Sequence, residues 1–193
     1  MLSLVKIRDR LKDLPPVLLE AVERTHAAVA LVVCDAGSGL EVLFIERSEH
    51  EQDPWSGHLG FPGGRVEPED AGPRDAAERE TLEEIGLDLA AAEYLGRLDD
   101  VFGVHMPVVV SCFVFGMRHR PELTPNPAEV RQAFWSPLED LLDPQRRREK
   151  TFQIQGEALA HPAIQVLGEG RPWLWGITYR LVAQFLEAMD RRL

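Results

Sequence analysis

The sequence predicts an α/β protein with a mixed sheet flanked by helices. Two observations carry this. The apolar runs at residues 28–34 and 107–115 are short and continuous, as buried strands are, and LEVLFIE (40–46) between them reads as a further strand. Residues 74–85 are rich in helix formers, and residues 176–192 repeat apolar side chains at four-residue spacing.

Taken in order, residues 2–25 read as helical. Leu2, Val5 and Leu11 recur near helical spacing, and Pro15-Pro16 opens a second helix, VLLEAVERTH. AVALVVC (28–34) is a strand, residues 35–39 are a turn, and LEVLFIE (40–46) is the return strand of a hairpin. Residues 49–73 hold four prolines and five glycines, too much punctuation for a long element. A loop of that length in a small domain is usually functional. The helix at 74–85 stops at Gly86, a residue suited to the left-handed position after a helix. YLGRL and PVVVSCFVF supply further strands, followed by a Pro-rich loop (121–127), a short strand QAFW and a short helix PLEDLL. QRRREK (145–150) reads as a solvated basic loop. The last helix places Ile177, Leu181, Phe185 and Met189 on one face, with Trp173 and Trp175 pinning it. No repeat or linker divides the 193 residues, so the expectation is one domain: an N-terminal helical segment over about 1–26 and a core over 27–193.

Composition narrows the function. At 45% hydrophobic and 27% charged, the chain is an ordinary globular sequence. Its net charge of −11 repels nucleic acid and anionic membranes, so neither is an expected partner. No apolar run approaches a membrane span, and the first residues lack a signal-peptide core, which reads as a cytoplasmic protein. Cys34 and Cys112 sit in apolar runs without metal-ligand spacing and read as buried, reduced thiols.

The chemistry concentrates between Gly63 and Leu87. On a helix, Glu80 faces Glu83 and Glu84 at i+3 and i+4, and like charges at that spacing repel. Glu83 and Glu84 also lie in the last turn, where the helix dipole disfavours anions. Such a cluster is either a solvated acidic face balanced by Arg79 or a site built for a cation. The preceding Gly63-Gly64 favours the second, because a flexible backbone can bring a carbonyl to the same face. An all-oxygen donor set suits Mg²⁺ or Mn²⁺. Arg47, after a strand, reads as a phosphate contact or a surface ion pair. His58 and His105 read as phosphate or acid–base groups, or as hydrogen-bonded structural histidines. Trp55 and Phe102 read as base-stacking or packing side chains. Glu129, just before a strand, is either an outlying acidic group of the site or an exposed loop residue.

These residues resemble the Nudix hydrolase family. Its signature runs Gly, five residues, Glu, seven residues, Arg-Glu, an apolar residue, any residue, Glu-Glu, any residue, Gly, an apolar residue. Arg79-Glu80-Thr81-Leu82-Glu83-Glu84-Ile85-Gly86-Leu87 matches the second half, with Thr81 at an apolar position. Gly64 and Asp70 match the first half, with Asp for Glu and one residue more before Arg79. The resemblance implies a Nudix-like α/β/α sandwich and hydrolysis of a diphosphate linked to another moiety. It implies that Glu80, Glu83 and Glu84 hold Mg²⁺ or Mn²⁺ together with the Gly64 carbonyl. Arg79 would orient a carboxylate, and Glu80 or Glu129 would act as general base. Within the family the pattern is similar to the coenzyme A pyrophosphatase group. That group shares the extra residue, and its flanking motifs correspond here to Arg47-Ser48, Phe61-Pro62-Gly63-Gly64, Glu129-Val130 to Pro137-Leu138, and Trp175-Gly176. Trp55-Ser56-Gly57-His58 departs from the group's upstream motif. Coenzyme A, giving adenosine 3′,5′-bisphosphate and 4′-phosphopantetheine, is thus the leading substrate. The rivals are another nucleoside diphosphate derivative and a non-catalytic nucleotide-binding module.

Overall fold

In the computed structural model, which describes residues 2–21, 23–37, 39–49, 57–104 and 106–193, the run at 28–34 lies within an eleven-residue strand, β1 (Thr25–Asp35). One edge of β1 pairs in parallel with β7 (Val108–Met117) along its length. The other edge is divided. Val33–Asp35 pair antiparallel with β2 (Leu40–Arg47), and Ala27–Val29 pair antiparallel with β4 (Gly63–Arg65). Strand β2 also pairs with β3 (Leu59–Gly60) and β8 (Val130–Pro137), and β7 with β5 (Glu93–Arg97) and β6 (Val101–Phe102). The sheet is therefore mixed, as expected.

Side-chain alternation gives that sheet two apolar faces. Ala28, Ala30, Val32, Leu43 and Ile45 face α2 (Pro73–Ile85), which contributes Ala76, Ala77 and Ile85. Leu31, Val33, Val42 and Phe44 face the opposite layer. There α1 (Leu4–Asp13) supplies Leu4, Ile7 and Leu11, and α4 (Gly176–Ala188) supplies Leu181, Val182, Phe185 and Leu186. Each of the larger wholly buried side chains contributes roughly 1.5–3 kcal/mol. The result is the α/β/α sandwich, with α3 (Leu138–Leu142) following β8. Cys34 and Cys112 are buried and unpaired, and burial pushes both thiols up in pKa. Among the described residues no helix is long and apolar enough to cross a membrane.

Three elements differ from expectation. Among the described residues the N-terminal segment is helical only over α1, and those of 17–26 form no second helix. The N–H groups of Val17 and Leu19 donate to Asp99 Oδ1 (2.7 Å) and Asp100 Oδ2 (2.9 Å), while the Val17 carbonyl accepts from Asp100 N at 2.9 Å. Those bonds hold 17–19 away from a helix, and Thr25-His26 already belong to β1. The basic stretch expected as a loop enters β9 (Arg147–Ile154), which pairs with β10 (Glu157–Ile164) in a separate two-stranded sheet. Gln155-Gly156, both at positive φ, form its two-residue turn. Finally, Trp175 holds this hairpin rather than only α4. Its ring stacks on Phe152 at 4.0 Å and 8°, and Lys150 lies over Trp173.

Candidate active site

The site is organised by the C-terminal half of α2 and the strands below it. Pro73 begins the helix, and Gly86 ends it at φ 69°, donating to the Leu82 carbonyl. The last two helix carbonyls do not point into empty space. Ile85 O accepts from Thr124 N and Glu84 O from Asn126 N, both at 2.8 Å. The loop 121–129 is thereby hung on the helix end, which brings Glu129 to the acidic face. Its carboxylate accepts from Asn126 Nδ2 at 3.0 Å and adds negative potential at Glu80 and Glu84. Thr81, the departure inside the motif, is fully buried, and its hydroxyl donates back to Ala77 O at 2.6 Å, so no polar atom is stranded.

The three glutamates occupy different surroundings. Glu83 is exposed, Glu80 half-buried, and the Glu84 side chain is only 2% exposed. Burial pushes the Glu84 carboxyl up to about 8, against the opposing influence of the Gly63 N–H, which donates to its Oε2 at 2.8 Å, and of Arg47. Arg47 Nη1 stands 3.6 Å from Glu84 Oε1. Glu80 is also pushed up by burial, with Arg79 pulling the other way. Arg79 is the hub. Its Nε and Nη2 grip Asp70 at 2.9 and 3.0 Å, Nη1 reaches Glu80 at 2.8 Å and Glu83 at 3.0 Å, and Nη2 also meets the Arg65 carbonyl. Asp70, whose side chain is 3% exposed, is held well below the usual carboxylate range by that grip. The compensating cations demanded by the crowded carboxylates are thus Arg79 and Arg47. The extra residue before Arg79 does not break the Asp70 contact.

Gly63 and Gly64 play unequal parts. A Cβ on Gly63 would lie 2.6 Å from the Val29 Cα, and its φ of 148° strains any side chain. A Cβ on Gly64 would lie 2.5 Å from both carboxylate oxygens of Glu80. The bonds Ala30 N to Pro62 O and Val66 N to His26 O set the ladder phase. In that phase Gly64 faces Ala28 through its own N–H and carbonyl. What Gly64 gives the site is therefore room for Glu80, whereas the expectation was a carbonyl oxygen; the glycine that hydrogen-bonds a glutamate is Gly63, to Glu84. Two substitutions separate these effects. Gly63→Ala is expected to cost about 3 kcal/mol or more of stability, since backbone must move. Gly64→Ala is expected to fold with a loss nearer 1 kcal/mol but to displace Glu80 and lose most activity. Chemical denaturation and turnover of both variants check this.

Of the remaining expected site residues, His58 turns its ring to Trp175, edge-on at 5.0 Å, on the hairpin side, while its carbonyl accepts from Arg47 N. Phe102 lies beneath the Arg24 guanidinium at 4.5 Å. Trp55, Ser56 and His105 lie outside the described residues. Sequence reasoning missed a second charged cluster. Glu46, completely buried, is met by Arg131, Arg171 and Gln132. One signal pointed to it: in LEVLFIER, alternation puts Glu46 on the same face as buried Val42 and Phe44.

Among the described residues no three carboxylate, histidine or cysteine side chains are grouped to hold an ion, and Arg79 is bonded to Glu80 and Glu83. The donor chemistry nevertheless fits one. The set is all oxygen, Glu84 is a buried carboxylate, and the bare Cα of Gly64 leaves a cradle for Glu80.

The NUDIX domain family model matches residues 24–155. The chain is 31% identical over 169 residues to the chloroplastic Nudix hydrolase 22 of Arabidopsis thaliana, covering 86% of this chain and 56% of that protein. It is 30% identical over 153 residues to a mitochondrial coenzyme A diphosphatase of Homo sapiens, covering 79% and 64%. The chain spans about half the length, 43–56%, of the first curated relatives it matches. Among solved structures, a MutT/nudix family protein from Enterococcus faecalis aligns over 98% of this chain and 70% of its own, at TM-score 0.57 and 18% identity. An Ap4A hydrolase from C. elegans aligns over 60% of this chain and 83% of its own, at TM-score 0.51 and 21% identity. At these identities the likeness is one of fold.

Proposed function

This chain belongs to the NUDIX family, and on that premise we propose that it hydrolyses the diphosphate of a nucleotide-linked small molecule, coenzyme A or a derivative first among them. The observation that carries the reading is the buried Glu84 carboxylate, 3.6 Å from Arg47 and on one helix face with Glu80 and Glu83. A purely structural acidic face has no use for a carboxylate removed from water.

Glu80, Glu83 and Glu84 would hold Mg²⁺ or Mn²⁺. When bound, such an ion polarises phosphoryl oxygens and acidifies water. The residues of this chain do the rest. Arg79, clamped on Asp70, fixes the orientation of the Glu80 and Glu83 carboxylates. Arg47 presents a guanidinium to the diphosphate beside Glu84. Glu80 or Glu129 accepts the proton that water loses as its oxygen attacks phosphorus. One P–O bond of the bridge breaks as the new one forms, and each product leaves as a phosphomonoester. The Phe61-Pro62-Gly63-Gly64 and Trp175-Gly176 segments, together with the human diphosphatase relative, support coenzyme A as the first substrate to test.

The test is a panel of coenzyme A, an acyl-coenzyme A, NADH, ADP-ribose and nucleoside triphosphates, with Mg²⁺ or Mn²⁺ and then with EDTA. Hydrolysis is expected with either ion and lost in EDTA, with coenzyme A giving the highest kcat/KM. Full turnover without metal overturns the metal-dependent reading. A dinucleotide or nucleotide sugar preferred tenfold, about 1.4 kcal/mol in the transition state, overturns the substrate.

A further inference from the structure

We infer that Arg131 and Arg171, held together by the buried carboxylate of Glu46, form a second anion site that receives a phosphomonoester carried on the same substrate as the diphosphate. The inference rests on the proposed reading of the site and names one more group of its substrate.

The cluster is built at the end of β2. Pairing of β2 with β8 shifts register between Glu46 and Arg47, an irregularity of the kind that re-aims side chains beside active sites. Arg47 leans to Glu84 on the α2 face. Glu46, one residue earlier, turns to the other face, where Arg171 Nη2 meets its Oε2 at 2.6 Å and Arg131 Nη1 stands 3.2 Å from its Oε1. Gln132, its cross-strand neighbour, donates to Oε2 at 2.8 Å. Glu46 has no exposed surface, but the two arginine side chains are 57% and 39% exposed. The carboxylate is sealed in while both guanidiniums still reach solvent.

Charge and donor number give this arrangement its chemistry. A single buried carboxylate is balanced by a single arginine, so the second leaves a positive spot on a chain of net charge −11. Glu49, 3.9 Å from Arg131 and largely exposed, offsets little of it. Each guanidinium carries five N–H donors, and among the described residues neither has another side-chain hydrogen-bond acceptor. Two guanidiniums gathered on the two oxygens of one carboxylate offer donors suited to the oxygens of a terminal phosphate. Both clusters sit at the same end of β2, Arg47 on one face and Glu46 on the other, so a ligand that reaches both must pass around that strand end.

Calorimetry on the metal-free protein with adenosine 3′,5′-bisphosphate and with AMP tests this without any turnover. The two probes differ by the second phosphate alone. Wild type is expected to bind the bisphosphate at least tenfold more tightly. Arg131→Ala and Arg171→Ala should each cut that preference at least threefold and leave AMP affinity unchanged. Arg171→Lys should restore part of it. If Arg171→Ala does not fold, the more exposed Arg131→Ala carries the test. Equal affinity of wild type for the two probes, or equal losses for both in the variants, overturns the site. A retained preference with no hydrolysis of coenzyme A overturns the proposed reaction instead and leaves the anion site standing.

Discussion

Glu84→Gln is expected to lower kcat by about 10²–10³, roughly 3–4 kcal/mol of transition-state stabilisation, while leaving the fold intact. The amide keeps the shape, and its carbonyl can still accept from the Gly63 N–H, which donates to Glu84 at 2.8 Å. The buried negative charge is lost. In the metal-free protein the same change should raise stability. Burial holds the Glu84 carboxyl near 8, above its ordinary 4.5, so the folded state binds this proton more tightly than the unfolded state does. The sign follows from linkage: wild-type stability falls as pH rises from about 4.5 to about 8, and the glutamine variant lacks that decline. With Mg²⁺ present the ranking should reverse, because ligand binding stabilises only the protein that binds it. Melting temperatures of both proteins across this pH range, with and without Mg²⁺, together with kcat, check every arm. Near-wild-type kcat would place the chemistry elsewhere.

The second large effect belongs to Arg79→Ala. This change strips the counter-charge from Asp70, Glu80 and Glu83 at once, and Asp70 is almost fully covered. Breaking a largely covered pair from one side leaves an uncompensated charge, and the expected cost is about 2–4 kcal/mol. For a protein of this size that is a fall in Tm of roughly 5–10 °C. Arg79→Lys should recover less than half, since an ammonium cannot grip both Asp70 oxygens as the planar fork does. Mg²⁺ should restore more stability to the alanine variant than it adds to wild type, because Glu80 and Glu83 are then free of the guanidinium. A Tm shift below about 2 °C would show that the hub is only a surface pair.

The main helix and its acidic cluster were legible because several local signals agree there: Pro73 at its start, Gly86 at its end, and three glutamates at helical spacing. The central strands were equally plain, since their β-branched runs are buried on both faces. The hairpin at 147–164 was not, because most of its side chains face solvent and no apolar alternation marks it. The non-helical course of 17–19 depended on partners more than 80 residues away, Asp99 and Asp100, which no local pattern reveals. The unequal parts of Gly63 and Gly64 are likewise set by ladder phase against β1, a property of pairing rather than of residue type. Arg131 and Arg171 lie 40 residues apart and meet only through Glu46. In each case the missing information was the identity of a distant neighbour.

Strand β1 has a consequence for biosynthesis. Every rung of its parallel ladder joins residues far apart in the chain; Thr25 meets Val108, 83 residues later. Loops of that size close slowly, and parallel pairing gives no local reward before closure. A ribosome adding about 5–20 residues per second takes roughly 4–17 s to synthesise the intervening chain. Throughout that interval one edge of β1, with Val29, Leu31 and Val33, has no native partner, which makes it a natural client for a holding chaperone. The glycine pair that seats Glu80 and Glu84 is itself laid against β1. The clustered carboxylates therefore gain their final support late, when the sheet closes around a strand made well before its parallel partner.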